Sequence, residues 1–313
     1  MTQYAFFEGR IVPIQEAQVS VMTHALHYGT ACFGGIRGYW NDDSEQLFVF
    51  RILDHYRRFL NSTKLLMMEL PYSVEELAEI TLDLLRREGW REDVYVRPLA
   101  YKANAGIGVR LHGLTDEVTI FALPFGRYVE NEEGAHVTFS SWQRVDDNAI
   151  PARGKISGAY VNSALAKSDA LPNGFDEAMV LNANGHLAEG SAEHVFIIRD
   201  GAAITPPVTE TILEGITRRT IMHLLKNEMG MEVVERPIDR TEVYVADEVF
   251  FCGTGVQVAA ISRVDHRPIG TGEMGPLTAE LRDLYFSVVR AAKKSYQHWC
   301  TPVFVEQTVS TPA

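Results

Sequence analysis

The sequence predicts an α+β protein of two successive units, and three observations carry that prediction. Strand-like and helix-like runs follow one another irregularly, whereas a doubly wound parallel sheet would alternate them. Between Pro124 and Gly134 the chain turns polar and loses its period, which divides it into a first unit 1–124, a linker 125–134 and a second unit 135–313. With 313 residues, 46% of them hydrophobic, each part can bury a sizeable core.

The first unit opens as a hairpin, Tyr4 to Phe7 and Arg10 to Val12 around the Glu8-Gly9 turn. Extended segments follow at Phe33 to Trp40 and Leu47 to Arg51. A helix is expected to start at Asp54 as N-cap and to run through Leu60. Ser73 to Glu76 forms a capping box for a second helix, with Leu77, Ile80, Leu84 and Leu85 on its apolar face and Gly89 as its stop. Strands Asp93 to Tyr101 and Glu117 to Leu123 complete the unit. Beyond the linker, strands are expected at His136 to Trp142, Glu177 to Leu181, His194 to Arg199, Met231 to Glu235, Glu248 to Cys252 and Val256 to Arg263. Helices are expected at Gly158 to Ala170, Gly215 to Glu228 and Leu277 to Ala292, and fraying at Val309 to Ala313.

Charge narrows the function classes. Asp and Glu number 41 against 29 Lys and Arg, a net charge of −12 that repels nucleic acid and anionic lipid. No basic and apolar leader and no membrane-length apolar run is present, so a cytoplasmic protein is expected. Cys32, Cys252 and Cys300 are odd in number and far apart, and the His24 and His27 spacing is a poor metal signature, so no metal is expected.

Only seven of the basic residues are lysines: Lys64, Lys102, Lys155, Lys167, Lys226, Lys293 and Lys294. Five of them read as solvated groups on amphipathic helices, and Lys102 as a lysine entering a loop after a strand. Lys155 lies among small and apolar residues from Asn148 to Gly158, a setting that favours the neutral amine needed for Schiff-base chemistry. A loop lysine ahead of a helix is the alternative. Glu189, between Ala188 and Gly190, is more approachable than Glu193, although both also read as turn or edge charges. The helix start Leu213 to Arg219 and the turn Cys252 to Val256 offer backbone amides to a phosphate, or are an ordinary cap and turn. No Walker or dinucleotide fingerprint occurs.

Together these segments resemble the branched-chain amino acid aminotransferases among the fold-type IV pyridoxal-phosphate enzymes. The resemblance rests on His24 to Thr30, Phe33 to Arg37, Tyr95 to Pro98, Ile107 to Val109, Ser140 to Trp142, Lys155 with Tyr160, Glu189 to Ser191, Gly215 to Arg218, Ala246 to Val249 and Gly253-Thr254. They occur in the family's order over nearly the whole chain. The resemblance implies a small N-terminal α/β domain and a larger C-terminal domain with a pseudo-barrel β-core. It implies pyridoxal 5'-phosphate as cofactor, carried by Lys155, which also moves the substrate proton. Glu189 would face the pyridine nitrogen, Tyr160 the phenolate oxygen and Leu213 the ring. Arg58, with Arg57 as competitor, would take the phosphate together with Ile216, Thr217 and Thr254. Substrate contacts would come from Tyr28, Phe33, Tyr95, Arg97, Val109, Tyr128, Thr254 and Gly255, with Arg37 as electrostatic support. The implied reaction is transamination of Leu, Ile or Val with 2-oxoglutarate in a homodimer or larger homo-oligomer. A D-amino acid or (R)-amine aminotransferase, an aminodeoxychorismate lyase and a non-catalytic phosphate-ligand binder are the rivals. Gly34, Phe125, His194 and the Arg110-Leu111-His112 run depart from the family's usual residues.

Overall fold

The computed structural model describes residues 3–126 and 131–304. The first sheet is built from β1 (Tyr4–Phe7), β2 (Arg10–Pro13), β3 (Ala31–Phe33), β4 (Ile36–Asn41), β5 (Gln46–Phe50), β6 (Val94–Lys102) and β7 (Asp116–Pro124). The second comprises β8 (Ala135–Phe139), β9 (Glu177–Leu181), β10 (Leu187–Gly190), β11 (His194–Arg199), β12 (Ala202–Thr205), β13 (Glu232–Glu235), β14 (Glu248–Gly253), β15 (Gln257–Val264) and β16 (Arg267–Pro268). A last strand, β17 (Cys300–Pro302), returns to the first sheet, whose order is β17-β5-β4-β6-β7-β1-β2 with β3 on β6. The second sheet runs β10-β9-β8-β15-β14-β11-β12-β13 with β16 on β15. The helices are α1 (His24–Tyr28), α2 (Ile52–Leu65), α3 (Val74–Glu88), α4 (Tyr160–Ala170), α5 (Ile216–Asn227), α6 (Arg240–Tyr244) and α7 (Pro276–Val289). This is the expected α+β class. β17, which lies within 135–313, joins the first sheet.

The first sheet packs α2 and α3 against one face, with Tyr56, Phe59, Leu77 and Leu84 closing over Val49, Val94 and Ile120. The second sheet is covered on both sides, so β11 and β14 are nearly continuous buried runs instead of alternating ones. One of those cores joins Phe196 and Phe250 to α5 and α7 and reaches Tyr39 and Phe50 of the first sheet. It fixes the two sheets against each other.

Several expectations are corrected. The strand expected from Phe33 to Trp40 is two strands that share β6 as partner, β3 against Leu99 to Tyr101 and β4 against Val94 to Val96. The break faces Pro98, which has no N–H to give, while its carbonyl accepts from the Gly34 amide at 2.8 Å. A Cβ on Gly34 would lie 2.6 Å from the Pro98 ring, and one on Gly35 would overlap the Tyr95 hydroxyl. Asp54 is not the cap of α2. The helix starts after Arg51 in the left-handed region (φ 48), and Asp54 in its first turn pairs with Arg51 at 2.7 Å and Arg57 at 3.1 Å. Lys102 is no loop lysine: it is 1% exposed, donates to the Met67 carbonyl at 2.7 Å and pairs with Asp116 at 2.8 Å. The capping box of α3 forms with both reciprocal bonds, and Gly89 ends the helix at φ 68. The strand from His136 stops at Phe139, and Glu189 lies within β10. Among the described residues no helix is long and apolar enough to cross a membrane. The expected fraying at Val309 to Ala313 lies outside them.

Candidate active site

A cavity of about 570 Å³ lies between the sheets, with Phe33, Tyr95 and Arg97 on one wall and Lys155, Tyr160 and Thr254 on the other. The Lys155 loop is held by its backbone: its carbonyl accepts from the Phe33 amide at 2.9 Å, and its amide donates to Ser62 Oγ at 3.3 Å. Its Nζ hydrogen-bonds the Tyr160 hydroxyl and stands 5.1 Å from the Phe33 ring centre and 5.0 Å from that of Tyr160. No carboxylate forms an ion pair with it among the described residues. Burial and the Arg58 charge, with Arg97 adding to them, pull this amine down to about 8. Burial and the charge of Glu189 push the Tyr160 phenol above its ordinary value.

Glu189 is buried, its Oε1 paired with Arg144 at 2.8 Å. Its Oε2 accepts from the Leu213 amide at 3.4 Å and lies 3.6 Å from His194 Nδ1. Arg58 lines the cavity and donates to the Glu214 carbonyl at 3.4 Å, while Arg57 is exposed and bound to Asp54. Burial, with Arg219 nearby, lowers Arg58 to about 10. Leu213, Ile216, Thr217, Thr254 and Gly255 also line the cavity. The N-cap of α5 is Gly215, with no side-chain capping bond, so the helix's first amides and its positive end face the cavity.

Arg97 donates to the Tyr95 hydroxyl at 3.1 Å and lies 4.6 Å from the Phe33 ring centre, and its buried Nε has no hydrogen-bond partner among the described residues. Arg37 is buried outside the cavity lining and donates to the carbonyls of Gly255 at 3.1 Å, Phe125 at 2.7 Å and Gly126. Tyr28 and Val109 are not brought to this cavity. The Tyr28 hydroxyl accepts from the Gly108 amide at 3.0 Å on the outer surface, and Val109 is 76% exposed. Tyr128 lies outside the described residues.

Sequence reasoning missed Arg144 beside Glu189, singled out His194 only as a departure from the family, and read Lys167 as solvated. Lys167 lines the cavity and pairs with the fully buried Glu177 at 2.8 Å. Glu193 lies on the same side, where burial and the charges of Glu177 and Glu189 push it up to about 8. The alternation of Lys167 with small residues along α4 was the available signal. No group of three or more His, Cys, Asp and Glu gathers as a metal site would among the described residues.

An amine bonded to a phenol and a helix N-terminus line one cavity, and the buried acid Glu189 lines an adjoining pocket that shares Lys155 and Tyr160; together they define a site for transfer chemistry on a small anionic molecule. The family described as amino-transferase class IV matches residues 35–264 of this chain. A probable branched-chain-amino-acid aminotransferase of Aquifex aeolicus is 52% identical over 96% of this chain and 97% of that protein. A branched-chain aminotransferase of Thermoproteus uzoniensis, crystallised with norvaline, superposes with a TM-score of 0.93 at 39% identity, over 97% of this chain and 100% of that one. The branched-chain amino acid aminotransferase of Thermobaculum terrenum, in its PLP-form, gives 0.92 at 40%, over 97% and 99%. The chain belongs to the class IV aminotransferases. It is an aminotransferase, similar throughout its length to those that act on branched-chain amino acids.

Proposed function

We propose that this chain is a pyridoxal-phosphate-dependent branched-chain amino acid aminotransferase, moving the amino group of Leu, Ile or Val to 2-oxoglutarate. One observation carries the reading: Lys155 is an amine without a carboxylate ion-pair partner among the described residues, pulled down to about 8, in a cavity that also holds the cation Arg97. The residues present fit the cofactor. The uncapped start of α5, Arg58, Thr217 and Thr254 make an anion cradle, and Glu189 is an acid held in place by Arg144. When bound, pyridoxal phosphate supplies an aldehyde that exchanges amino groups and a ring that withdraws electrons.

The chain's own residues would do the rest. Lys155 anchors the cofactor, then takes the proton from the substrate Cα and returns it on the other side of the exchange, which an amine titrating near neutral pH does well. Tyr160 donates to the phenolic oxygen and positions Lys155. Glu189 holds the proton at the ring nitrogen. Leu213 packs on the ring and helps to exclude water. Arg97 and Tyr95 receive the side-chain carboxylate of glutamate, whereas Phe33 and the aromatic wall take aliphatic chains. Thr254 and Gly255 would hold the substrate carboxylate, with Arg37 fixing Gly255 from behind. Tyr28, Val109 and Tyr128 belong to the substrate pocket in this reading. Tyr28 and Val109 reach it across the interface of a homodimer, since both lie on the outside of their own chain. The division into 1–124, 125–134 and 135–313 and a cytoplasmic location complete the proposal.

The purified protein should carry a visible absorbance that borohydride quenches and that Lys155→Ala lacks. Initial rates with 2-oxoglutarate should be highest for branched L-amino acids. A protein that stays colourless with added cofactor, or that turns over D-Ala or (R)-1-phenylethylamine fastest, would overturn the proposal.

A further inference from the structure

His194 is 6% exposed and opens β11, opposite Cys252 of β14. Its two ring nitrogens lie toward two different neighbours, Glu189 and Gly215. Nδ1 is buried without a hydrogen-bond partner among the described residues and lies 3.6 Å from Glu189 Oε2, on the side of that carboxylate that Arg144 does not occupy. Nε2 presses against the N-cap of α5, where a Cβ on Gly215 would overlap it. This explains why a glycine caps a helix that has no side-chain cap: the imidazole fills the space a Ser, Thr or Asp would need.

Burial first, and then the charges of Arg218 on α5, Arg58 on α2, Lys155 and Arg144, hold the ring well below the ordinary imidazole value, which favours its neutral form although the Glu189 carboxylate faces it. A neutral imidazole has one N–H and one acceptor nitrogen. With the proton on Nδ1, a small rotation brings a donor onto Glu189 and adds no charge beside Arg144.

We propose that His194 is a positioning residue that ties the Glu189 carboxylate to the first turn of α5, holding the two ends of the cofactor cradle as one unit. This rests on the pyridoxal phosphate reading given above.

The test is a double-mutant cycle on cofactor affinity, with pyridoxal phosphate binding to the apo protein measured by equilibrium dialysis. His194→Leu, which keeps bulk but no donor, should weaken binding about tenfold, the scale of one charge-assisted hydrogen bond. Combined with Glu189→Ala, which removes the acceptor oxygen, the same change should cost less than about twofold, because the partner is gone. His194→Asn, whose amide occupies the place of Nδ1, should recover affinity to within about threefold of wild type. Equal losses in both backgrounds, an Asn variant as weak as the Leu variant, or a Leu variant that no longer folds in an apo melt would each overturn the inference. No binding by the wild-type chain would overturn the cofactor reading itself, which separates the two failures.

Discussion

Two amines withdrawn from water, Lys102 at the end of β6 and Lys155 in the cavity wall, have opposite surroundings. Lys102 is met by a carboxylate at 2.8 Å and donates to a carbonyl at 2.7 Å, so its charge is balanced. Lys155 is met by a phenol, two aromatic faces and the cations Arg58 and Arg97, and its amine falls to about 8. Lys102 is buried and Lys155 half-buried in the cavity wall. The partner decides which lysine holds the fold together and which is left free to react.

Removing each amine in turn is the strongest way to break this contrast. Lys155→Met should lower turnover by at least about 10³-fold while leaving the apo melting temperature unchanged or higher. Lys102→Met should do the reverse, costing about 3–5 kcal/mol through the stranded Asp116 charge while the folded fraction keeps its turnover. A Lys102 variant that melts normally yet has lost activity would dissolve the distinction.

Acid tests it next, through His55 and His194, both buried and both held well below the ordinary imidazole value by desolvation and surrounding cations. Their folded values lie below the unfolded one, so the unfolded chain binds protons that the folded chain refuses. Stability is therefore full above about pH 6.5 and falls below it, by about 1.4 kcal/mol per ring at about pH 5.5. Denaturant melts at pH 7.5 and 5.5 measure the loss, and a flat response would show that the two rings accept protons in place. The smallest effect concerns Arg97. Arg97→Ala should raise KM for glutamate about tenfold more than KM for leucine. An equal rise for both would mean that the cation serves Lys155 and not the substrate.

The chemistry that depends on sequence neighbours was legible. Lys155 could be singled out because its flanks are small and apolar, and the capping box of α3 was readable because Ser73 and Glu76 satisfy each other locally. The misreadings come from partners distant in the chain. Lys102 reads as a loop residue until the Met67 carbonyl, 35 positions away, is brought beside it. Arg144 gives no signal until the fold sets it against Glu189. The split of β3 from β4 depends on Pro98 of another strand, and the role of Gly215 on the ring of His194. The core runs of the second sheet were found because burial on both faces makes a strand continuously apolar.

The strand Cys300–Pro302 gives the molecule an order of assembly. It pairs with the edge of β5, the Val303 amide donates to Leu47 at 2.9 Å, and the Arg51 amide, at the left-handed start of α2, donates to Trp299 at 2.6 Å. That edge and that helix start wait for the far end of the described chain, a closure across most of its length and an entropic cost that slows folding. As the chain emerges from the ribosome, the second sheet can gather its strands while the first still has an open border. The sheet begun first is the last to be finished.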